Sequence, residues 1–447
     1  MKREKYIILL FTISSYLVCA QDKPLTMKEA LGLAVKNSKE LKASKANVEI
    51  AQAKLAQAKD QALPTLKASG MYMRLNKPTV SVAHEPSSGG GGGGSGSGNG
   101  GSNPMAIFSQ MNSAAISMVQ LTEPIFSGFK IRNNRIMQGY LAEAAQYDNT
   151  TTRSKIITNT AKALYQYYEL LETKKMVEQN VAQARQLVVE FTNKEKQGVL
   201  AQNDVLKAEL QLNNILLTLT DVNNNIKVAE YNIQILLGLP TDKPFALDTM
   251  GMFQNSVFGT AEDFEKTALD KRSEVKSAFL HLKASDAALK IAKADNYPSL
   301  ALMGGYANLF LPGVANVTNI FNGGLSLNYN FTNLIYNRHH VQESKAQQLQ
   351  IQASSEMVAD QIKIEVHRKY FDYQNSLEKI ALTKKSIAQA EENYSISKNK
   401  FNNGLMLTSD YLNAYVLLLQ TQINYISAKS ESMIAWYELQ QATGTIE

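Results

Sequence analysis

Residues 198–240, GVLAQNDVLKAELQLNNILLTLTDVNNNIKVAEYNIQILLGLP, decide how this chain folds. After Val205, apolar or small residues follow at alternating spacings of three and four: Ala208, Leu212, Ile215, Leu219, Val222, Ile226, Ala229, Ile233 and Leu236. A period of about 3.5 residues keeps one helical stripe against a neighbouring helix and imposes left-handed supercoiling. Glycine past the last turn is a usual helix stop. The chain is therefore expected to arrive along one helix, turn at Lys196-Gln197-Gly198 and return along an antiparallel partner.

The same text occurs twice. Moving residues 193–238 by 206 superimposes Asn193, Lys194, Gly198, Asp204, Leu206, Ala208, Leu212, Tyr231 and Gly238 on Asn399, Lys400, Gly404, Asp410, Leu412, Ala414, Leu418, Tyr437 and Gly444. Moving residues 34–72 by 234 superimposes Ala34, Glu40, Leu55, Lys59, Pro64, Gly70 and Tyr72 on Ala268, Glu274, Leu289, Lys293, Pro298, Gly304 and Tyr306. Such ungapped self-similarity marks a duplication. Its expected halves are residues 21–245 and 246–447, the first carrying a flexible glycine-rich loop at residues 85–104. The second-half seam, Tyr411, Ala414, Leu418, Thr421, Tyr425 and Ala428, is more polar than the first. Leu41, Ser44, Val48, Ala51, Leu55, Ala58 and Ala62 continue the pattern in an earlier helix.

All ten prolines lie at or before residue 124 or between 240 and 312, leaving two long stretches free of the strongest helix breaker. Phe126 to Gly198 and Phe331 to Gly404 would each make an arm about 100 Å long at the helical rise. Arms of that length need neighbours along their whole course. Between helices, the pattern changes to period two. In 324–331, Leu325, Leu327, Tyr329 and Phe331 alternate with Ser326, Asn328 and Asn330. Residues 66–75, 115–123 and 299–308 complete a set of four expected strands, each near the length that crosses a bilayer at a tilt. A soluble sheet capping a helical bundle has the same local pattern. The expected class is mainly α with a transmembrane β portion.

The N-terminus has secretory character: Lys2, Arg3 and Lys5, an apolar run from Tyr6 to Ile13, and Val18-Cys19-Ala20 before Gln21. Residues 1–20 are read as a signal peptide; lipidation of Cys19 is disfavoured by Val18 before it. No later stretch is apolar for long enough to make a transmembrane helix, so any membrane crossing must use strands closed into a barrel. The net charge of +6 is dispersed, with no basic block to serve as a nucleic-acid arm.

In this order, the residues resemble the TolC-type outer-membrane efflux family. The resemblance is carried by Pro64-Thr65-Leu66, Pro124-Ile125-Phe126-Ser127-Gly128, Gly198-Val199-Leu200, Asp204-Val205-Leu206 and Leu237-Gly238. The second copy has Tyr297-Pro298-Ser299-Leu300, Phe331, Gly404-Leu405, Asp410-Tyr411-Leu412 and Gly444. Coverage runs from about residue 25 to the end. The resemblance implies a homotrimer in the lipid bilayer of a Gram-negative outer membrane, with four strands per protomer in a twelve-stranded β-barrel above an α-helical coiled-coil tunnel. It implies passive export for an efflux or type I secretion system, with a periplasmic adaptor and an inner-membrane pump as partners. The docking tips would be Gly198, Val199, Leu200, Gly404, Leu405 and Met406. Asp204, Asp410 and Asn413 would lie at the periplasmic entrance.

Two readings of the aspartates stay open: a carboxylate ring favouring cations, or a cap or charge at the start of each return helix. Some family members hold the entrance shut with a basic residue after the second tip glycine and a second acid one turn past the aspartate. Here Met406 and Leu407 follow Leu405, and Asn413 follows Asp410, so the closure is expected to be weaker and more apolar.

No cofactor, metal or catalytic site is expected. His339 and His340 are adjacent and diverge on a helix, and the glycine tract lacks the ending of a phosphate cradle. Tyr165, Tyr167, Tyr168 and Tyr373 read as packing or tunnel-lining groups. The competing classes are a secreted coiled-coil structural protein and a periplasmic adaptor. The first leaves the paired strands unexplained, and the second usually surrounds one hairpin with β-rich domains.

Overall fold

In a computed structural model, residues 24–74, 113–242, 246–248, 259–312 and 315–446 are described. The signal-peptide and glycine-rich-loop expectations fall outside them. The described chain runs α1 (Met27–Asn37), α2 (Lys39–Asp60), β1 (Thr65–Arg74), β2 (Ser113–Ser127), α3 (Lys130–Lys196) and α4 (Gln202–Leu237). The same order then recurs as α5 (Ala261–Lys271), α6 (Ser273–Ala294), β3 (Ser299–Leu311), β4 (Ala315–Asn328), α7 (Asn333–Asn402) and α8 (Thr408–Thr443). Two compact units result, one from residues up to 45 with 148–275 and 359–447, the other from 46–147 with 276–358.

In the first unit, helix ends follow the sequence closely. Gly198, Gly238, Gly404 and Gly444 all adopt the left-handed conformation, with φ of 75°, 68°, 72° and 69°. At Gly198, the amides of Gly198 and Val199 donate to Glu195 and Lys194 carbonyls at 2.8 Å each, satisfying groups the ending helix leaves orphaned. Helices α1 and α5 both start with a capping box, Thr26 with Glu29 and Thr260 with Asp263. The seam of α4 points inward: Ala208, Ile215, Val222 and Ile233 are buried and the intervening seam residues half-buried.

The seam from Leu41 to Ala62 did not disclose that each short helical block is broken. Ser38 and Arg272 stand at the breaks in extended conformation, with ψ of 122° and 130°. At the first break the Leu41 amide donates to Ser38 Oγ at 3.1 Å. Asn37 Nδ2 donates to the Leu237 carbonyl at 2.6 Å, tying the first break to the end of α4. At the second, the Arg272 guanidinium bonds Glu274, Glu365 and the Ala442 carbonyl.

The second unit holds one antiparallel sheet in the order β1-β2-β3-β4. Leu66, Val119, Leu121, Leu300, Leu302, Tyr306, Phe321, Leu325 and Leu327 share one face by register, interrupted by Arg74, Ser117, Glu123 and Asn308. The other carries Thr65, Lys67, Ser69, Gln120, Thr122, Asn322, Ser326 and Asn328 among methionines and Ile116. Strands β2, β3 and β4 span 15, 13 and 14 residues, longer than expected. The fourth was expected at 324–331; it begins earlier and ends at Asn328, where the Asn330 side chain accepts from the Thr332 amide and Phe331 turns the chain towards α7. The two long helices accordingly start at Lys130 and Asn333, beyond Phe126 and Phe331.

At the passage from β2 to α3, Gly128 and Phe129 are both left-handed, with φ of 61° and 66°. A Cβ on Gly128 would lie 2.5 Å from the Ala294 carbonyl oxygen. Gly128→Ala therefore combines a backbone collision with the ~1–2 kcal/mol cost of a left-handed Cβ. We expect a lowered thermal midpoint and poor yield of folded protein, measured by circular dichroism; an unchanged midpoint would contradict the tight joint.

Candidate functional site: the paired hairpin turns

Within the first unit, the turns following α3 and α7 meet through one aromatic cluster. Phe191, Ala208, Phe401 and Tyr411 are buried together, with Leu187, Val188, Leu200, Val205, Tyr394 and Met406 packed around them. Phe191 stacks on Phe401 at 5.1 Å, Phe401 on Tyr411 at 4.9 Å, and Tyr411 on Tyr394 at 5.7 Å. The Tyr394 and Tyr411 hydroxyls are 3.2 Å apart. Burial, then this hydrogen bond, pushes the Tyr411 hydroxyl well above the ordinary tyrosine range, so it stays neutral. Lys194 closes the cluster from outside: its Nζ donates to Asn402 Oδ1 at 3.1 Å, pairs with Glu190 at 2.7 Å and lies 5.2 Å above the Phe401 ring. Both hairpins are thus fastened within one chain.

Between them lies a cleft bordered by Lys194, Asp204, Lys207, Phe401, Met406 and Ser409. The expected tip residues divide into two groups. Leu200 and Met406 turn onto the aromatic cluster, whereas Val199 and Leu405 are 67% and 77% exposed. Leu407, outside the expected set, is 70% exposed and completes an apolar crest. Gly198 and Gly404 supply the left-handed turns on which these side chains stand.

Neither aspartate caps its helix through its side chain. The N-cap positions are Ala201 and Leu407, and the carboxylates occupy the first turn, where the positive end of the helix dipole favours them. Asp204 is half-buried and accepts from Lys207 Nζ at 3.2 Å; Asp410 is exposed, with Ser409 Oγ 3.5 Å away. Asn413 is exposed one turn further on. The two acids are therefore unlike, one neutralised by a lysine and the other open to solvent.

The aromatic cluster escaped sequence reading. Its signal was available: Phe191 and Phe401 both lie within two turns before a tip glycine, on the helix faces towards Ala208 and Tyr411. Tyr165, Tyr167 and Tyr373 are buried packing residues, as expected, and Tyr168 is half-buried. Among the described residues no group of His, Cys, Asp or Glu could hold a metal ion, and no helix is long and apolar enough to cross a membrane.

Long paired helices joined to a four-stranded sheet with one largely apolar face define the class, a helical-tunnel and β-barrel channel protein. The model of the outer membrane efflux protein family matches residues 30–239 and 266–445, and the chain belongs to that family. The outer membrane efflux protein BepC of Brucella suis biovar 1 is 23% identical over 336 residues, covering 73% of this chain and 71% of that protein. The Campylobacter jejuni CmeC outer membrane channel superposes with a TM-score of 0.78 at 17% identity, covering 94% of this chain and 85% of its own. A membrane protein from Pseudomonas aeruginosa gives 0.78 at 14% identity, covering 94% and 90%. The protein is an outer-membrane efflux channel subunit with a periplasmic helical tunnel. The structural-stalk and adaptor alternatives fall with that assignment.

Proposed function

We propose that three copies of this chain form a passive conduit whose barrel takes four strands from each, and whose helices continue it as a tunnel towards an inner-membrane pump. The observation that carries this reading is the sheet. It is open at both outer strands, every residue of β1 is exposed, and one face is largely apolar. Lipid tolerates no unpaired strand edge, and four strands cannot close on themselves. A twelve-stranded barrel pairs the edges and turns the apolar face to lipid. The two repeats, 21–245 and 246–447, would then supply alternate hairpins around the tunnel, after removal of residues 1–20 as a secretory signal. Transport needs no catalytic group here; the pump supplies the energy and selects the cargo.

The crest of Val199, Leu405 and Leu407 is the surface offered to a periplasmic adaptor, with Leu200 and Met406 fixing the turns from below. Asp204, Asp410 and Asn413 are assigned to the entrance. With Asp204 paired to Lys207, the acidic character of the mouth rests mainly on Asp410, so the closure is weak and largely apolar. Asn413→Asp, which adds a second exposed acid one turn past Asp410, is expected to lower resting conductance and strengthen its block by multivalent cations. Unchanged conductance and block would remove this account of the entrance.

The assembly itself is tested by membrane fractionation followed by mass measurement in detergent. An outer-membrane species of three chains is expected; a monomer in the soluble periplasmic fraction would defeat the proposal.

A further inference from the structure

Helices α3 and α6 in the second unit are joined by a ladder of lysine and aromatic rings with a seven-residue step. Lys276 Nζ lies 5.9 Å above the Tyr147 ring and Lys283 Nζ lies 5.6 Å above Tyr140. One step further the ladder reaches Lys290, where the facing position holds Asn133 instead of tyrosine. Lys290 there joins Arg132 and Lys293 on a cleft of about 370 Å³. That is the low end of the size of small-molecule sites, room enough for a headgroup. No carboxylate lines it, and among the described residues none of these three cations is in an ion pair. The nearby acid, Asp295, is taken by Lys130 at 2.8 Å.

The cleft has an aromatic wall that leads to the apolar sheet face. Phe126 meets Phe129 edge-on at 5.2 Å, and Phe129 meets Tyr297 at 6.4 Å. Phe126 lies at the base of β2, paired with Leu300 of the apolar face. Phe129 is held in a left-handed conformation that bulky residues avoid, yet the residue remains 51% exposed. Strain that places a ring in solvent suggests a ligand for the ring to meet. The cleft therefore combines positive charge with no ion-pair partner among the described residues, an aromatic wall that includes one amphipathic ring of the interfacial kind, Tyr297, and continuity with a largely apolar sheet face.

We propose that this cleft binds the headgroup of an anionic glycerophospholipid, with Arg132, Lys290 and Lys293 on the phosphate and Phe129 and Tyr297 beside the glycerol. Guanidinium and ammonium donors form charge-assisted bonds to phosphate oxygens, the same chemistry by which basic pockets between transmembrane helices take acidic lipid heads. A free phosphate has the same charge but gains nothing from the rings or the sheet face, so the lipid is the favoured occupant.

The test is native mass spectrometry of the detergent-extracted, delipidated full-length channel titrated with dioctanoyl phosphatidylglycerol. Dioctanoyl phosphatidylcholine and inorganic phosphate serve as comparators. One tightly held phosphatidylglycerol per chain is expected, weakened at least tenfold by R132Q/K290Q/K293Q and unaffected by K283Q, whose lysine covers a ring outside the cleft. All substituted side chains in the triple variant are exposed, so loss of fold is not expected; matching circular dichroism checks this. Undiminished binding by the triple variant, equal binding of phosphatidylcholine, or full displacement by inorganic phosphate at equal concentration would each overturn the proposal.

Discussion

Phe191→Ala should loosen the paired turns and raise the resting conductance of the channel. Phe191 is fully buried, and its ring holds Phe401 at 5.1 Å and Tyr411 at 6.5 Å. Truncating a buried phenylalanine costs about 3–5 kcal/mol through lost transfer energy and the cavity left behind. This cluster joins the two hairpins of one chain, so the loss falls on their mutual attachment. Single-channel recording should show longer open times, and limited proteolysis should cut earlier near Val199 and Leu405. Phe191→Leu, which keeps most of the volume, should lie between wild type and alanine. Identical gating in all three proteins would show that the cluster does not hold the entrance.

The second large effect is expected from Arg272→Ser. Position 38, the counterpart in the first half, is serine and sustains the same helix break, so this substitution removes the charge while leaving the break able to form. The Arg272 side chain is only 7% exposed, and its loss strands Glu274 and Glu365. Those carboxylates keep some water, at 28% and 38% exposure. The cost should therefore be about 2–3 kcal/mol, below that of a fully buried pair. Because such assemblies often unfold irreversibly, the readout is the thermal inactivation rate at fixed temperature.

The same group has a pH signature. Burial pulls the Glu274 carboxyl upward, but hydrogen bonding and charge from Arg272, with smaller help from its own backbone amide and Lys155, hold it below its ordinary value of 4.5. A carboxyl depressed in the folded state contributes stability that is present above its unfolded value and lost as pH falls through the folded one. Wild type should therefore inactivate faster as pH drops below about 4.5, and Arg272→Ser should lose much of that acid-dependent step. Parallel curves for the two proteins would place the acid sensitivity elsewhere.

What the sequence made legible was whatever depends on local period or on glycine and proline. The α4 seam, the turn glycines Gly198 and Gly404 and the alternating strands all follow from interactions within a few residues, and their positions survive in the structure. The Ser38 and Arg272 breaks do not, because a single extended residue leaves the surrounding helical pattern intact. Arg272 becomes intelligible only when Glu365 and Ala442, far along the chain, arrive beside it. Strand ends were likewise imprecise: Tyr329 and Phe331 keep the alternation of β4 after its hydrogen bonding has stopped. At the turns, glycines and aspartates were readable by position. The division between inward Leu200 and Met406 and outward Val199, Leu405 and Leu407 was not, since it depends on rings contributed by three other helical segments.

The central claim is that this chain builds a gated pore through a membrane. Planar-bilayer conductance of the purified detergent-extracted protein, with its mass measured in parallel, tests it most directly. Discrete, cation-preferring steps from an assembly of three chains are the predicted result; a correctly folded protein that remains a soluble monomer and leaves the bilayer silent would contradict it.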